Sequence, residues 1–199
     1  PVASGARVAV QHFCFMPAVG YVAVGCAEGG TVAVGDRLFI GPTSDGTFEP
    51  LATPVTSIHV HRSFTDAVTA YDEGAFAIGH EPLPKGVDPL RKGSYLLKVA
   101  ADTGSDPAAQ PPRAVKVVEL AVELKGASTK LLPRKGSEVL LYFGVIRQWA
   151  KVDVVQADTL RIRARMLRHP ELLEVGAVGY VETPTGPSAD TARLFQCRV

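Results

Sequence analysis

Glycine and proline, 19 and 15 of the 199 residues, interrupt most of this chain at short intervals, and helical periodicity is nearly absent between the breaks. A helix of three turns needs ten or more uninterrupted residues with apolar positions three and four apart. The segments left between these breaks are short and rich in valine, isoleucine and aromatic side chains, so they read as strands. We expect strands near 6–15, 20–27, 36–41, 54–62, 73–80 and 94–99, then near 114–124, 137–143, 145–155, 160–166 and 194–199. Only 114–124 is ambiguous. Glu119 and Glu123 stand at helical spacing there, but the crowding of valines favours a strand. The pattern predicts an all-β chain of two tandem antiparallel β-barrels.

Length permits this. With 199 residues the chain can hold two barrels of about 90 to 100 residues each, and its 46% hydrophobic content is enough for packed cores. The stretch Ala100-Ala-Asp-Thr-Gly-Ser-Asp-Pro-Ala-Ala-Gln-Pro-Pro112 is small, polar and proline-rich, without apolar periodicity. We therefore expect a first domain over 1–100, a linker over 101–112 and a second domain over 113–199.

Several classes of function are disfavoured. No run of 18 apolar residues is present, and the N-terminus opens on Pro1 without a basic head and apolar core, so neither a membrane partner nor a signal peptide is expected. Three cysteines (Cys14, Cys26, Cys197) with no CxxC spacing argue against a disulfide framework and against a zinc site. The chain contains no asparagine, hence no N-glycosylation acceptor. These features lead us to expect a cytoplasmic protein. Formal charge is +1, divided as −2 over residues 1–100 (7 Lys+Arg, 9 Asp+Glu) and +3 over 101–199 (14 and 11). Neither half is basic enough to announce nucleic-acid binding by charge, so any RNA contact must be local. Neither a phosphate-binding GxxxxGK[ST] loop nor a nucleophile with an activating neighbourhood is visible, and we expect no catalytic residue in this chain.

The motifs carry more. Gly20-Tyr-Val-Ala-Val-Gly25 is followed by Gly30-Thr-Val-Ala-Val-Gly35-Asp36-Arg-Leu-Phe-Ile-Gly41-Pro42. The latter reads as two short apolar strands joined by a Gly-Asp turn and closed by a Gly-Pro turn, with Asp36 able to bond back to the turn amides. In order and spacing, with Ser57-Ile-His-Val-His-Arg62 and Arg91-Lys-Gly-Ser-Tyr-Leu-Leu97 following, these pieces resemble the β-barrel second domain of translational GTPases of the elongation factor Tu group. Gly144-Val-Ile-Arg147-Gln148 and Arg168-His-Pro-Glu-Leu172 resemble third-domain segments of one subgroup, the GTP-binding protein 1 and 2 family. The resemblance covers nearly the whole chain as second and third domains. It departs from the family pattern at Ala70-Tyr71-Asp72-Glu73, near the pocket for the aminoacyl end, and at Glu182-Thr-Pro-Thr-Gly-Pro-Ser188, near the usual RNA contact of the third domain.

The resemblance implies RNA-binding candidates. Family members that carry aminoacyl-tRNA hold its 3′ end on the second barrel near the segment matched by His59 to Arg62, and Arg62 suits a phosphate or carbonyl. Its alternative role is that of a solvent-facing strand residue. His59 and His61, two apart on an expected strand, are predicted to share a face and to lack a third metal ligand. Tyr71 and Glu73 border the altered pocket segment, and Tyr71 is a candidate to replace part of its wall. Arg161, Arg163 and Arg165 share one strand face with Arg168 just beyond. They are candidates for phosphate contact, or for a solvated exterior paired with carboxylates such as Asp153 and Asp158. Arg147 stands beside Trp149, which suits base stacking or packing.

The function implied is binding and positioning in translation, either elongation or ribosome rescue. The partners implied are aminoacyl-tRNA, the ribosome and a GTP-binding domain of the same parent protein. GTP and Mg would belong to that domain, with no cofactor in this chain. The competing expectation is a stand-alone protein-interaction module, for instance one linked to RNA decay.

Overall fold

The computed structural model describes residues 5–87, 93–98, 112–124, 132–183 and 193–199. No helix occurs among them, and the chain divides into two compact units, Pro1–Arg113 and Ala114–Val199. The expected linker lies outside the described residues apart from Pro112, as do residues 184–188 of the divergent C-terminal segment.

The first unit is built on β1 (Arg7–Met16), β2 (Gly20–Gly29), β4 (Phe39–Gly41), β5 (Glu49–Pro50), β6 (Ser57–Val60), β7 (Ser63–Thr65), β9 (Glu73–Ala77) and β10 (Ser94–Leu97). These form one sheet in the order β5-β4-β10-β1-β2-β9-β6-β7. A separate pair, β3 (Thr31–Ala33) with β8 (Ala67–Thr69), sends Val32 and Val68 into the same core as Val8, Ile40, Ile58, Phe76 and Leu96. The two strands read from Gly30 to Pro42 therefore join different sheets. Their turn behaves as the sequence implies: Gly35 has φ of 89°, Ala33 N–H donates to Asp36 Oδ2 at 2.8 Å, and Lys98 pairs with the same carboxylate at 2.7 Å. Gly25 serves a different need, since a Cβ there would lie 2.2 Å from the Ala9 carbonyl oxygen.

One expectation fails here. The strand predicted over 54–62 stops at Val60, and His61 and Arg62 form the two-residue loop of the β6–β7 hairpin with φ of 50° and 69°. His59 and His61 are thus not on one strand. Two-residue hairpin loops normally advertise themselves with Asn-Gly or Asp-Gly, and this one carries neither.

The second unit is a closed barrel in the order β11-β14-β13-β12-β15-β16. Its strands are β11 (Val117–Glu123), β12 (Glu138–Phe143), β13 (Ile146–Gln156), β14 (Arg161–Met166), β15 (Val178–Thr183) and β16 (Arg193–Arg198). The ambiguous segment is a strand, alternating between exposed and buried from Val117 to Glu123. Val118, Leu120, Leu141, Ile162, Met166 and Val181 fill the interior. Strand β15 was not among the expected strands. In the fold, the missing side chain of Gly179 lets β12 approach: a Cβ there would sit 2.3 Å from the Tyr142 carbonyl oxygen.

Candidate nucleic-acid interface

The β6–β7 hairpin end is backbone-strained. Left-handed conformations cost a residue with a Cβ about 1–2 kcal/mol, and His61 and Arg62 adopt them side by side. The twist of an antiparallel hairpin demands that geometry. The loop opens onto a cleft of about 440 Å³ lined by His59, His61, Arg62 and Glu73, with Val24, Gly74 and Ala75 completing the wall. Three of the sequence candidates, His59, Arg62 and Glu73, are brought together there. His59 meets Phe64 edge-on across the hairpin, at 6.0 Å between ring centroids and 78° between planes. Arg62 is exposed and has no ion-pair partner among the described residues.

Tyr71 stands two residues before Glu73 in the chain without lining the cleft. It is 88% exposed at φ of 76°, third in a turn closed by Asp72 N–H to the Thr69 carbonyl at 3.1 Å. Asp72 braces the turn by accepting from Thr69 N–H at 3.0 Å and from Thr69 Oγ1–H at 2.9 Å. Those two bonds, the backbone one first, hold its carboxyl below the ordinary value.

On the second unit, strand alternation turns Arg161, Arg163 and Arg165 outward together. Each has a carboxylate. Arg161 and Arg163 share Glu119 at 3.0 and 3.6 Å, and Arg165 pairs with Asp153 at 2.9 Å. Asp158 makes no ion pair among the described residues. Glu119 is the residue the sequence reading overlooks as a partner; its outward parity on the adjacent strand is the signal that points to it.

The Ile-Arg-Gln and Arg-His-Pro-Glu segments meet in space. Gln148 is buried and donates through Nε2 to Glu171 Oε1 at 2.7 Å and to the His169 carbonyl at 3.1 Å, while its Oε1 accepts from His169 N–H at 3.3 Å. Glu171 exchanges backbone hydrogen bonds with Val115, both at 2.8 Å, pinning the segment after β14 to the chain before β11. The neighbouring Arg147 faces outward, its guanidinium 5.5 Å from the Tyr142 ring. Tyr142 donates its hydroxyl to Glu182, which with burial raises the phenol above its usual value. Arg168 is exposed just past β14.

No family model matches the chain. Over 175 residues it is 32% identical to GTP-binding protein 2 of mouse and of human, a match covering 84% of this chain and 26% of each relative. It is a homologue of GTP-binding protein 2 over that stretch. The chain spans about a quarter of the length of these curated relatives. Among solved structures, a bacterial selenocysteine-specific elongation factor, EF-Sec, superposes with a TM-score of 0.67 at 16% identity, covering all of this chain and 28% of that one. The fold is accordingly the all-β type of elongation factor second and third domains, and the two segments joined by Gln148 and Glu171 lie within a chain related to GTP-binding protein 2.

Proposed function

We propose that this chain is the RNA-engaging arm of an elongation-factor-like GTP-binding protein, holding aminoacyl-tRNA for the ribosome in elongation or in rescue of stalled ribosomes. The β6–β7 cleft carries this reading. It combines an unpaired guanidinium with two imidazoles, one of them edge-on to Phe64, on a hairpin loop in left-handed backbone. Arg62 binds a terminal phosphate or ester carbonyl, the imidazoles flank the base, and Glu73 accepts from a ribose hydroxyl. On the second unit, Arg147 and Arg168 are exposed cations offered as RNA contacts of their own. GTP and Mg do not fit this chain's own residues. It lacks a GxxxxGK[ST] loop, and no group of three His, Cys, Asp or Glu among the described residues is arranged to hold a metal. Both belong to a nucleotide domain of the same cytoplasmic parent protein, where hydrolysis occurs, and this arm positions without catalysing.

The test is an equilibrium titration of the chain, joined to a GTP-loaded nucleotide domain, with aminoacylated and deacylated tRNA. Tighter binding of the aminoacylated form supports the reading; equal binding of both, or none, sinks it. Tyr71, exposed in a strained turn, favours the second reading of a protein-interaction module, for instance one contacting RNA-decay machinery.

A further inference from the structure

We propose that the outer face of β13 around Trp149 is a stacking site for single-stranded RNA, separate from the cleft of the first unit. Strand alternation turns Arg147, Trp149 and Lys151 to the outside of the barrel while Ile146, Gln148, Ala150 and Val152 face inward. Residues two apart on a strand lie about 6.7 Å apart, so the indole is bracketed along the strand by two cations within reach of consecutive phosphates.

The surface beside the indole is apolar. Leu140 lies opposite Trp149 in register, at the parity that faces away from the barrel interior, and is only 7% exposed. On the other side, Leu167 donates its N–H to the Trp149 carbonyl at 3.0 Å and is 42% exposed, widening the apolar surface. Trp149 itself is 37% exposed on a rigid strand paired on both sides. A buried core tryptophan would not show that exposure, and a strand tryptophan offers a base a flat face at little entropic cost.

The charges favour RNA over a protein surface. Neither Arg147 nor Lys151 makes an ion pair among the described residues, in contrast to the three arginines of β14. Three acids share the face, one of which, Asp153, is held by Arg165. Glu138 stands opposite Lys151 in register without pairing to it, and Glu182 is occupied by the Tyr142 hydroxyl. Arg147 is already oriented on the Tyr142 ring, a second aromatic directly opposite it in register. Cations flanking an exposed ring, with sequence-neutral stacking rather than a groove for a duplex, is the arrangement that single-strand binders use.

Trp149 is the chain's one tryptophan, so its fluorescence reports this site alone. The experiment titrates the 199-residue chain with an oligouridylate of about 10 nucleotides and with a duplex RNA of equal length. Saturable quenching by the single strand and little by the duplex is expected. By anisotropy of a labelled oligouridylate, Trp149→Ala weakens binding about tenfold, Trp149→Phe retains most of it, and Arg147→Ala with Lys151→Ala lowers the salt slope by about 2. Trp149→Phe keeps the strand packed and guards against a folding artefact. Absence of quenching, equal quenching by duplex, or unchanged affinity in Trp149→Ala overturns the proposal. Arg62→Ala is the control on the cleft: loss of tRNA binding with oligouridylate binding intact, or the converse, shows which site has failed.

Discussion

Both units present outward-facing arginine, but under opposite conditions. Arg62 sits in a left-handed backbone, beside a cleft, with no acid within ion-pair distance among the described residues. Arg161, Arg163 and Arg165 sit in relaxed strand geometry, and Glu119 and Asp153 take up all three. An anion approaching the row must displace carboxylates already paired there, whereas Arg62 has no ion-pair partner to displace among the described residues. The density of cations in a sequence therefore measures their availability poorly. Surface pairs like those of β14 contribute about 0–1 kcal/mol each, enough to mask a charge but little to hold a fold.

The contrast can be broken in several places. The largest stability effect is expected at the support of the second unit. Gln148→Leu removes the donor to Glu171 and should lower the stability of the barrel by about 2–3 kcal/mol, read as an earlier urea transition. A barrel indifferent to that change would mean that the two motif segments are not held together as described. At the hairpin, replacing His61 with Asn and Arg62 with Gly supplies the residues this loop geometry prefers. Stability should rise by about 1–2 kcal/mol while tRNA affinity falls. If stability fell instead, the strain assigned to the loop would be wrong. On the arginine row, Glu119→Gln should cost less than about 1 kcal/mol in thermal unfolding at low salt and nothing measurable in concentrated salt.

The smallest effect at neutral pH concerns barrel closure. Cys197 on β16 is opposite Val122 on β11, and burial, with a lesser contribution from Glu123, pushes its thiol up to about 12. The folded state therefore favours the protonated form. Its contribution to stability is complete below the unfolded thiol value of about 8.5 and is lost as pH rises through the folded one. A thiol reagent near pH 8 should label the half-exposed Cys14 and Cys26 first and Cys197 only on unfolding. Early labelling of Cys197 would mean that the β11–β16 seam opens readily.

The sequence made the strands of the second unit legible because alternation was strong there: β11, β13 and β14 switch between exposed and buried almost residue by residue. The turns were less so. His61 and Arg62 occupy positions where glycine or asparagine would have signalled a loop, so the hairpin end was read as more strand. Strand β15 was not anticipated, and its Gly179 stands where the neighbouring backbone needs room. For the candidate cleft, the resemblance pointed to His59, Arg62 and Glu73, but their convergence depends on β6 and β9 pairing side by side, a contact no local pattern encodes. Pairing of the arginine row with Glu119 was likewise a matter of register between β11 and β14.

The most direct measurement compares Arg62→Ala with Arg165→Ala in one aminoacyl-tRNA titration, each chain joined to a GTP-loaded nucleotide domain. Arg62→Ala should weaken binding about tenfold or more, as expected for losing a charge-assisted contact, while Arg165→Ala changes it less than about threefold. The reverse order, or equal small losses, would contradict the assignment of RNA recognition to the strained hairpin cleft.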